Sequence, residues 1–571
     1  MITLGINPFS HDSSAAIVKD GIIVAASSEE RFNREKHSAK IPINAINFCI
    51  KKAGIKNVNE IQEISFGFNF LHWRVLWLLD SIGLFKIIPV TTRTIIKNGD
   101  NHFFNLIKNI FNIIDTRYFI RNTLKYSGKV AFNDHHDAHA ASCYFPSCAY
   151  SAAIITVDGR GEKASTRIYK ASGIRIKRML QINYPHSLGL FYTAITYYLG
   201  FLRNCDEGKV MGLSSYGDSS LAEKMRRVIA IKQNGKLKLN LKYFDFWWNP
   251  RRGVSEKFNG LFGLPRTKKD PITHIHENIA KAAQIILEDS VMNLVMKAKQ
   301  ITNEDILCMA GGVTLNSVSN GKVIESDIFK QVYMYPASGD DGIAVGAAFL
   351  SYYKYASNQI TSSRNKSPYL GYETNEYEII DALKSAGVIY SKEQNIYQKT
   401  AQLLADGKFV GWFQGAHEFG PRALGNRSIL ADPRNSENKD KLNAKVKFRE
   451  GFRPFAPSIL KENAPEYFRN CTIDSPYMIV TFDVLEEKKK IIPSVTHIDG
   501  TARVQTVTRE QNQDYYELLK AFNMLTGVPV LLNTSFNVMN EPIVCTPQQA
   551  INCFLNSGLD AVVIADYLVI K

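Results

Sequence analysis

One pattern is written twice in this chain: a buried strand, a polar turn, then a hairpin. ITLGIN (2–7) is followed by a polar turn at 8–14, by AAIV (15–18), by the turn Lys19-Asp20-Gly21 and by IIVAAS (22–27). An Asp-Gly pair between two apolar runs signals a hairpin, because both residues tolerate the backbone conformation of a tight turn. Well over a hundred residues later SAAIITVDG (151–159) is again a strand with a turn, TRIYKA (166–171) is a second strand, and Ser172-Gly173 leads into IRIKRML. The two copies imply a duplicated α/β domain with a ligand held between the halves. Later segments fit the same core. DILCMAGGVTLNSV (305–318) reads as strand, double glycine and helix, and VYMYPASGDDGIAVGAAFLSYY (332–353) as strand, acidic loop and helix.

Helical pattern stops near Tyr355, and the polar stretch 357–371, with Ser, Asn, Pro and Gly, reads as an interdomain linker. Beyond it come a helix at about 396–404, the strand FVGWFQG, the strand VPVLLN (528–533), a helix at about 547–557 and a last strand, AVVIADYLVI. The expected architecture is therefore two α/β domains, 1–356 and 366–571. A length of 571 residues accommodates both.

Composition narrows the class. Hydrophobic residues at 45% and charged residues at 22% describe a globular chain. The most apolar run, 73–90, is broken by Arg74, Asp80 and Lys86, which argues against a membrane span. The first residues read as a strand rather than as a signal peptide. Eight cysteines without a CxxC pair suit neither a disulfide framework nor a zinc ribbon. A cytoplasmic protein with no membrane partner is expected. The formal charge of +15 is compatible with nucleic acid, a membrane surface or a polyanionic small substrate. From 73 to 129 nine basic residues stand against three acidic ones, and the simplest reading is a pair of amphipathic helices with solvated basic faces.

Three groups of residues could carry chemistry. In NDHHDAHAAS (133–142), His135 and His139 are spaced i,i+4, which places both imidazoles on one helical face at metal-ligand spacing, whereas His136 points elsewhere. Asp158 ends a strand and Asp340 sits in an acidic loop before a helix, positions at which open α/β sheets gather ligands. Two imidazoles with two carboxylates suit Fe(II), Mn(II) or Zn. In AGGVTLN (310–316) the pair Gly311-Gly312 lets backbone approach a nucleotide closely, with Asn316 ending the stretch. No GxxxxGK[ST] or GxGxxG motif occurs. The densest group is EFGPRALGNRSILADPR (418–434) with KDKLNAKVKFREGFRPFAPS (439–458). Lys447, Arg449 and Arg453 crowd around Glu450, with Arg422 in a Gly-Pro-Arg turn and Arg503 in TARVQT. Cations packed so closely repel unless an anion absorbs the charge, and guanidinium groups fit phosphate bidentately.

Together EFGPRALGNRSILADPR, VKFREGFRPFAPS, DGTARVQTV and LLNTSFNVMNEPIV resemble the O-carbamoyltransferases of the NodU/CmcH/TobZ family, as do SHDSSAAIVKDG, EERFNREKH, HHDAHAAS and DEGKVMGLSSYG. The resemblance runs from end to end and leaves only 70–130 without a motif. It implies an ASKHA-like N-terminal domain and a YrdC-like C-terminal domain. It further implies that carbamoyl phosphate and ATP yield carbamoyladenylate, whose carbamoyl group passes to a hydroxyl of a small molecule or sugar such as a natural product, nodulation factor or glycan. By that resemblance Arg422, Lys447, Arg453, Arg503 and Ser535 hold carbamoyl phosphate, and His135, His139, Asp158 and Asp340 hold a divalent metal (Fe, Mn, Zn or Mg). His11 falls where the family has a histidine facing the transferred group, and Lys36 and Lys209 are candidate phosphate or carbonyl contacts. The alternative is a tRNA threonylcarbamoyladenosine-type modification enzyme; a third reading is a regulatory ASKHA-like protein without turnover. The fused domains and the GPRALG and FRPFAP motifs resemble the small-molecule branch, so no nucleic-acid partner is expected. The acceptor, the metal's identity and the oligomeric state stay open, and the insertion is a candidate for acceptor choice through Trp73 or Trp77.

Overall fold

A computed structural model of the chain describes residues 1–571 except 70–117, 233, 250–251, 359–361 and 472. Trp73, Trp77 and most of the basic insertion lie outside the described residues.

The twofold pattern becomes two sheets of the same topology. In the first, Ile2–Asn7 is central, antiparallel to Ser14–Lys19 and parallel to Glu63–Phe66; Ile22–Ser28 and Lys129–Phe132 form the edges. In the second, Ser151–Val157 takes the central role, antiparallel to Ala164–Ser172 and parallel to Ile306–Ala310, with Arg175–Asn183 and Gln331–Met334 outside. Both central strands are almost wholly buried, which is why they read as unbroken apolar runs rather than as alternating ones. The N-terminal domain is the duplicated α/β unit that the repeat implied.

Two buried helices lie between the sheets, and glycine sets their spacing. Helix Ile343–Tyr353 crosses helix His135–Tyr144 at Gly346, where an added Cβ would stand 1.8 Å from the Ala138 carbonyl oxygen. Only a residue without a side chain permits that approach.

The C-terminal domain is built on an eight-stranded mixed sheet. Its order is Ser391–Lys392, Tyr567–Ile570, Ala561–Ile564, Val410–Phe413, Arg427–Ala431, Val530–Ser535, Ala456–Leu460, Gln505–Val507. Helices Ile396–Ala405 and Gln513–Thr526 pack on one another, as do Glu376–Ser385 and Pro547–Leu555. The run AVVIADYLVI, expected as one strand, is a hairpin: Ala565 adopts φ 50° and the two halves pair Ala561 with Ile570. Asp566 was the overlooked turn signal.

The domains are not independent bodies. One apolar core runs from Ile155 and Leu307 through to Trp412 and Val563. Asn320 donates to the Ile479 carbonyl at 2.8 Å, and the Thr481 hydroxyl to that of Ser317 at 3.2 Å. The connecting segment is docked as well. Asn365 is buried, donates to the Gly21 carbonyl at 3.0 Å and accepts from the Ile23 amide at 2.9 Å. Among the described residues no helix is long and apolar enough to cross a membrane.

Candidate active site

Helix His135–Tyr144 is fixed at its start. The Asp134 carboxylate caps it by accepting from the His136 and Asp137 amides, Arg167 bridges Asp134 and Asp137, and Glu162 accepts from the His135 amide at 3.1 Å. With the helix so anchored, the i,i+4 spacing delivers both imidazoles to the end of strand Ser151–Val157. The Nε2 atoms of His135 and His139 each lie 2.9 Å from the same Asp158 oxygen, and 3.8 and 3.6 Å from Asp340. Asp340 is placed from the other half of the repeat: Asn7 donates to its carbonyl at 2.6 Å, and Ser14 to that of Asp341 at 2.7 Å. His136 turns away, onto Thr156 and the Ala164 carbonyl.

The electrostatics match this arrangement. Burial would raise the Asp158 carboxyl, but hydrogen bonds with His135 and His139 outweigh it and hold it well below the usual range. Burial would lower His139, yet Asp158 and Asp340 push it up to about 9. His136, buried and lacking a carboxylate partner, falls to about 3 under burial and the field of the other two imidazoles. The residues fit a divalent cation. Two imidazole nitrogens and two carboxylate oxygens lie within 4.8 Å of one another in a buried place, and the mixed nitrogen and oxygen donor set suits a first-row metal. The Nδ1 atoms of both histidines have no hydrogen-bond partner among the described residues.

Gly311 and Gly312 lie against this centre. Gly311 has φ 100°, and a Cβ on Gly312 would be 3.2 Å from Asp158 Oδ1. Asn316 is otherwise engaged: it caps helix Ser317–Glu325 through the Ser319 amide and exchanges two hydrogen bonds with Gln284.

A second group lies nearby. His11 and His37 both hydrogen-bond Asp12. The carboxylates of Asp340 and Asp158 act on His11, which is raised well above an ordinary histidine against the opposing effect of burial, mainly through Asp12. Lys36 is exposed on the same loop, whose Arg34 donates to the Ile543 and Pro542 carbonyls of the C-terminal domain at 2.7 Å each.

The basic motif forms the third group. Lys447 is buried, and its ammonium donates to the Ser535 carbonyl and hydroxyl and to the Asn537 carbonyl and side chain. Arg449 is held by Asn443 and lies over the Phe455 ring. Burial and the field of Arg453 lower Arg422 to about 10 and Arg449 to about 9. Burial, then Arg422, Arg449 and Arg453, carry Arg503 far below its ordinary value. Among the described residues the carboxylate within ion-pair range of Arg453 is Glu450, at 3.9 Å, and Glu450 is shared with Lys209 at 2.9 Å. The Nε atoms of Arg422 and Arg503 find no hydrogen-bond partner among the described residues. Half-buried cations in such surplus around a buried lysine repel one another without an anion, and guanidinium forks suit a phosphate. A cleft between the domains, lined by Met211, Tyr216, Phe452, Phe455 and His497, has Arg503 in its wall.

The fold thus gathers the four proposed ligands, and it sets Lys447 on Ser535 beside Arg422, Arg453 and Arg503. Lys209 stands at the domain boundary, on Glu450 and Asp206. The sequence reading left Asp12, His37 and Asn537 without roles. Asp12 and His37 lay in SHDSS and NREKH, 25 residues apart, with no periodicity joining them.

Known proteins extend the picture. The model described as "Carbamoyltransferase N-terminus" matches residues 2–349, and "Carbamoyltransferase C-terminus" matches residues 401–571. An uncharacterized protein of Synechocystis is 37% identical over 609 residues, covering 100% of this chain and 96% of the relative. The nodulation protein NolNO of Sinorhizobium fredii is 35% identical over 579 residues, covering 99% and 80%. Nodulation protein U of Rhizobium tropici is 37% identical over 251 residues, covering 43% and 41%. Among solved structures, the activator of the 2-hydroxyisocaproyl-CoA dehydratase from Clostridium difficile aligns with TM-score 0.30 and 12% identity over 62% of this chain and 96% of that one.

Proposed function

Given that this chain belongs to the carbamoyltransferase family and is a carbamoyltransferase, we propose that it works through carbamoyladenylate. In this reading the C-terminal domain forms the intermediate from carbamoyl phosphate and ATP. The N-terminal domain then transfers the carbamoyl group to a hydroxyl of a small molecule or sugar. The observation that carries the reading is the surplus of positive charge at half-buried Arg422, Arg453 and Arg503 around buried Lys447, on one body with the His135–His139–Asp158–Asp340 centre.

In the first half-reaction the arginines and Lys447 bind the phosphate of carbamoyl phosphate. Water releases orthophosphate and leaves carbamate, whose oxygen attacks the α-phosphorus of ATP and expels pyrophosphate. The Ser535 hydroxyl, held by Lys447 and Asn537, is a further contact for the bound anion. In the second, the acceptor oxygen attacks the carbamoyl carbon, the bond from that carbon to the phosphate oxygen breaks, and AMP leaves. His11 receives the hydroxyl proton as general base. A divalent cation held by His135, His139, Asp158 and Asp340 would supply Lewis acidity toward the nucleotide phosphates. Gly311, packed against the Val157 backbone, sets the turn that brings Gly312 beside Asp158, where a nucleotide phosphate would approach, and Lys36 and Lys209 flank the space between the domains.

The test is incubation of purified protein with ATP, labelled carbamoyl phosphate and candidate acceptors. Pyrophosphate and AMP should appear, with label in a low-molecular-weight carbamate. Label entering bulk tRNA instead, or no pyrophosphate under any metal condition, would overturn the reading.

A further inference from the structure

The Asp12 carboxylate is shared between two imidazoles. His11 Nδ1 lies 2.6 Å from Oδ2, and His37 Nδ1 lies 2.8 Å from Oδ1. An ionised carboxylate can only accept, so both Nδ1 atoms carry hydrogen and donate. Neutral His11 therefore has its lone pair on Nε2, the ring nitrogen remote from Asp12. The two rings are edge to face, with centroids 6.1 Å apart.

The surrounding backbone holds His37 in place without help from Asp12. His37 has φ 55°, a left-handed conformation that a residue with a Cβ adopts only when its neighbours enforce it. Its amide donates to Glu30 at 2.9 Å. Ser38 next to it accepts from the Ser13 amide and from Asn33. The turn carrying Asp12 is thus tied to the loop carrying His37 by backbone as well as by side chain. His11 is the open member of the trio, its side chain 46% exposed against 30% for His37 and 22% for Asp12.

We propose that Asp12 is the positioning residue of the transfer step: it orients His11 and keeps the Nδ1 hydrogen in place, while His37 locks the second carboxylate oxygen. This rests on the reading of His11 as the base. The hydroxyl proton moves to His11 Nε2, the imidazolium is stabilised by Asp12, and Asp12 stays ionised. His37 serves Asp12 and does not meet the reacting atoms.

The experiment uses the full-length protein, with carbamoyladenylate formed in situ from ATP and carbamoyl phosphate and with water as the hydroxyl nucleophile. Pyrophosphate release reports the first half-reaction and AMP release the second. In Asp12→Asn an amide can donate to Nδ1, which allows the opposite tautomer and removes the lone pair from Nε2. AMP release should fall by about 10²–10⁴-fold, the range of general-base contributions, while the first-turnover burst of pyrophosphate is retained. Asp12→Glu should restore part of the loss, and His37→Gln should cost about tenfold or less, the worth of one hydrogen bond. Nitrogen-15 spectra of histidine-labelled protein, recorded at a pH above the His11 titration so that the ring is neutral, should report His11 protonated at Nδ1 in the wild type and shifted toward Nε2 in Asp12→Asn. That readout needs no turnover, so it judges Asp12 even if the carbamoyladenylate route fails. Wild-type AMP release in Asp12→Asn, equal loss of both half-reactions, or an unchanged tautomer would each overturn the proposal. The three ligand atoms also lie within 4.8 Å of one another. A second equivalent of bound divalent metal, lost in His37→Ala, would assign the trio to a cation and overturn it too.

Discussion

Lys209 Nζ and Glu450 Oε1 stand 2.9 Å apart across the domain boundary, although 241 residues separate them in the chain. The contact occupies the carboxylate that would otherwise neutralise Arg453. Lys209→Ala should therefore release Glu450 toward Arg453 and weaken phosphate binding. The expected loss is about 1 kcal/mol, roughly a fivefold rise in KM for carbamoyl phosphate, since the pair is only partly buried. Steady-state pyrophosphate release checks it, and an unchanged KM would make the pair purely structural.

The arginines should matter more. Arg422→Ala or Arg453→Ala removes a charge-assisted contact of about 1.5–3 kcal/mol, roughly ten- to a hundred-fold or more in carbamoyl phosphate use. Preformed carbamoyladenylate should still be consumed by both variants. Loss of that activity as well would show that the two half-reactions are not divided between the domains.

Metal content should depend on the four convergent ligands. Elemental analysis of His139→Ala or Asp158→Asn should find the bound divalent metal gone, because one missing donor in four steeply lowers affinity. Transfer should disappear with it. A variant with full metal and full activity would leave the i,i+4 histidines as packing residues.

The His11 titration fixes the sign of a pH effect. Its pKa is raised, chiefly by Asp12 and then by Asp340 and Asp158, against the opposing effect of burial. The neutral base therefore becomes available only at higher pH than for an ordinary histidine, and transfer should rise through a limb lying above the ordinary value of about 6.5. Adding a divalent metal should move that limb to lower pH, since a cation offsets the field of Asp158 and Asp340. A rate profile unchanged in His11→Asn would remove His11 from the chemistry.

Gly346 offers a stability test. Its missing side chain lets helix Ile343–Tyr353 meet helix His135–Tyr144, and a Cβ would fall 1.8 Å from Ala138 backbone. Gly346→Ala should cost about 1–3 kcal/mol by overpacking, and thermal unfolding should show it as a lowered midpoint. Metal affinity should fall with it, because helix His135–Tyr144, against which the added Cβ would press, carries both histidines.

Much of this protein could be read before folding because it is local. The duplicated strand-turn-hairpin is a pattern of neighbouring residues, and the two five-stranded sheets reproduce it. His135 and His139 could be paired in advance because helical periodicity alone puts i and i+4 on one face. Asp158 and Asp340 stood at strand ends and before a helix, where ligands gather. Arg422, Lys447 and Arg453 declared themselves by repulsion between close neighbours in the sequence. What the sequence left undecided is nonlocal. Asp12 with His37, Lys209 with Glu450, and Arg34 with the carbonyls of Pro542 and Ile543 follow no period, because loop backbones and domain packing set them. The final hairpin escaped for a related reason: AVVIADYLVI is apolar enough for one long strand, and only burial against Val410–Phe413 rewards folding it back at Ala565. Periodicity says which face a residue occupies; only the packed chain decides what that face meets.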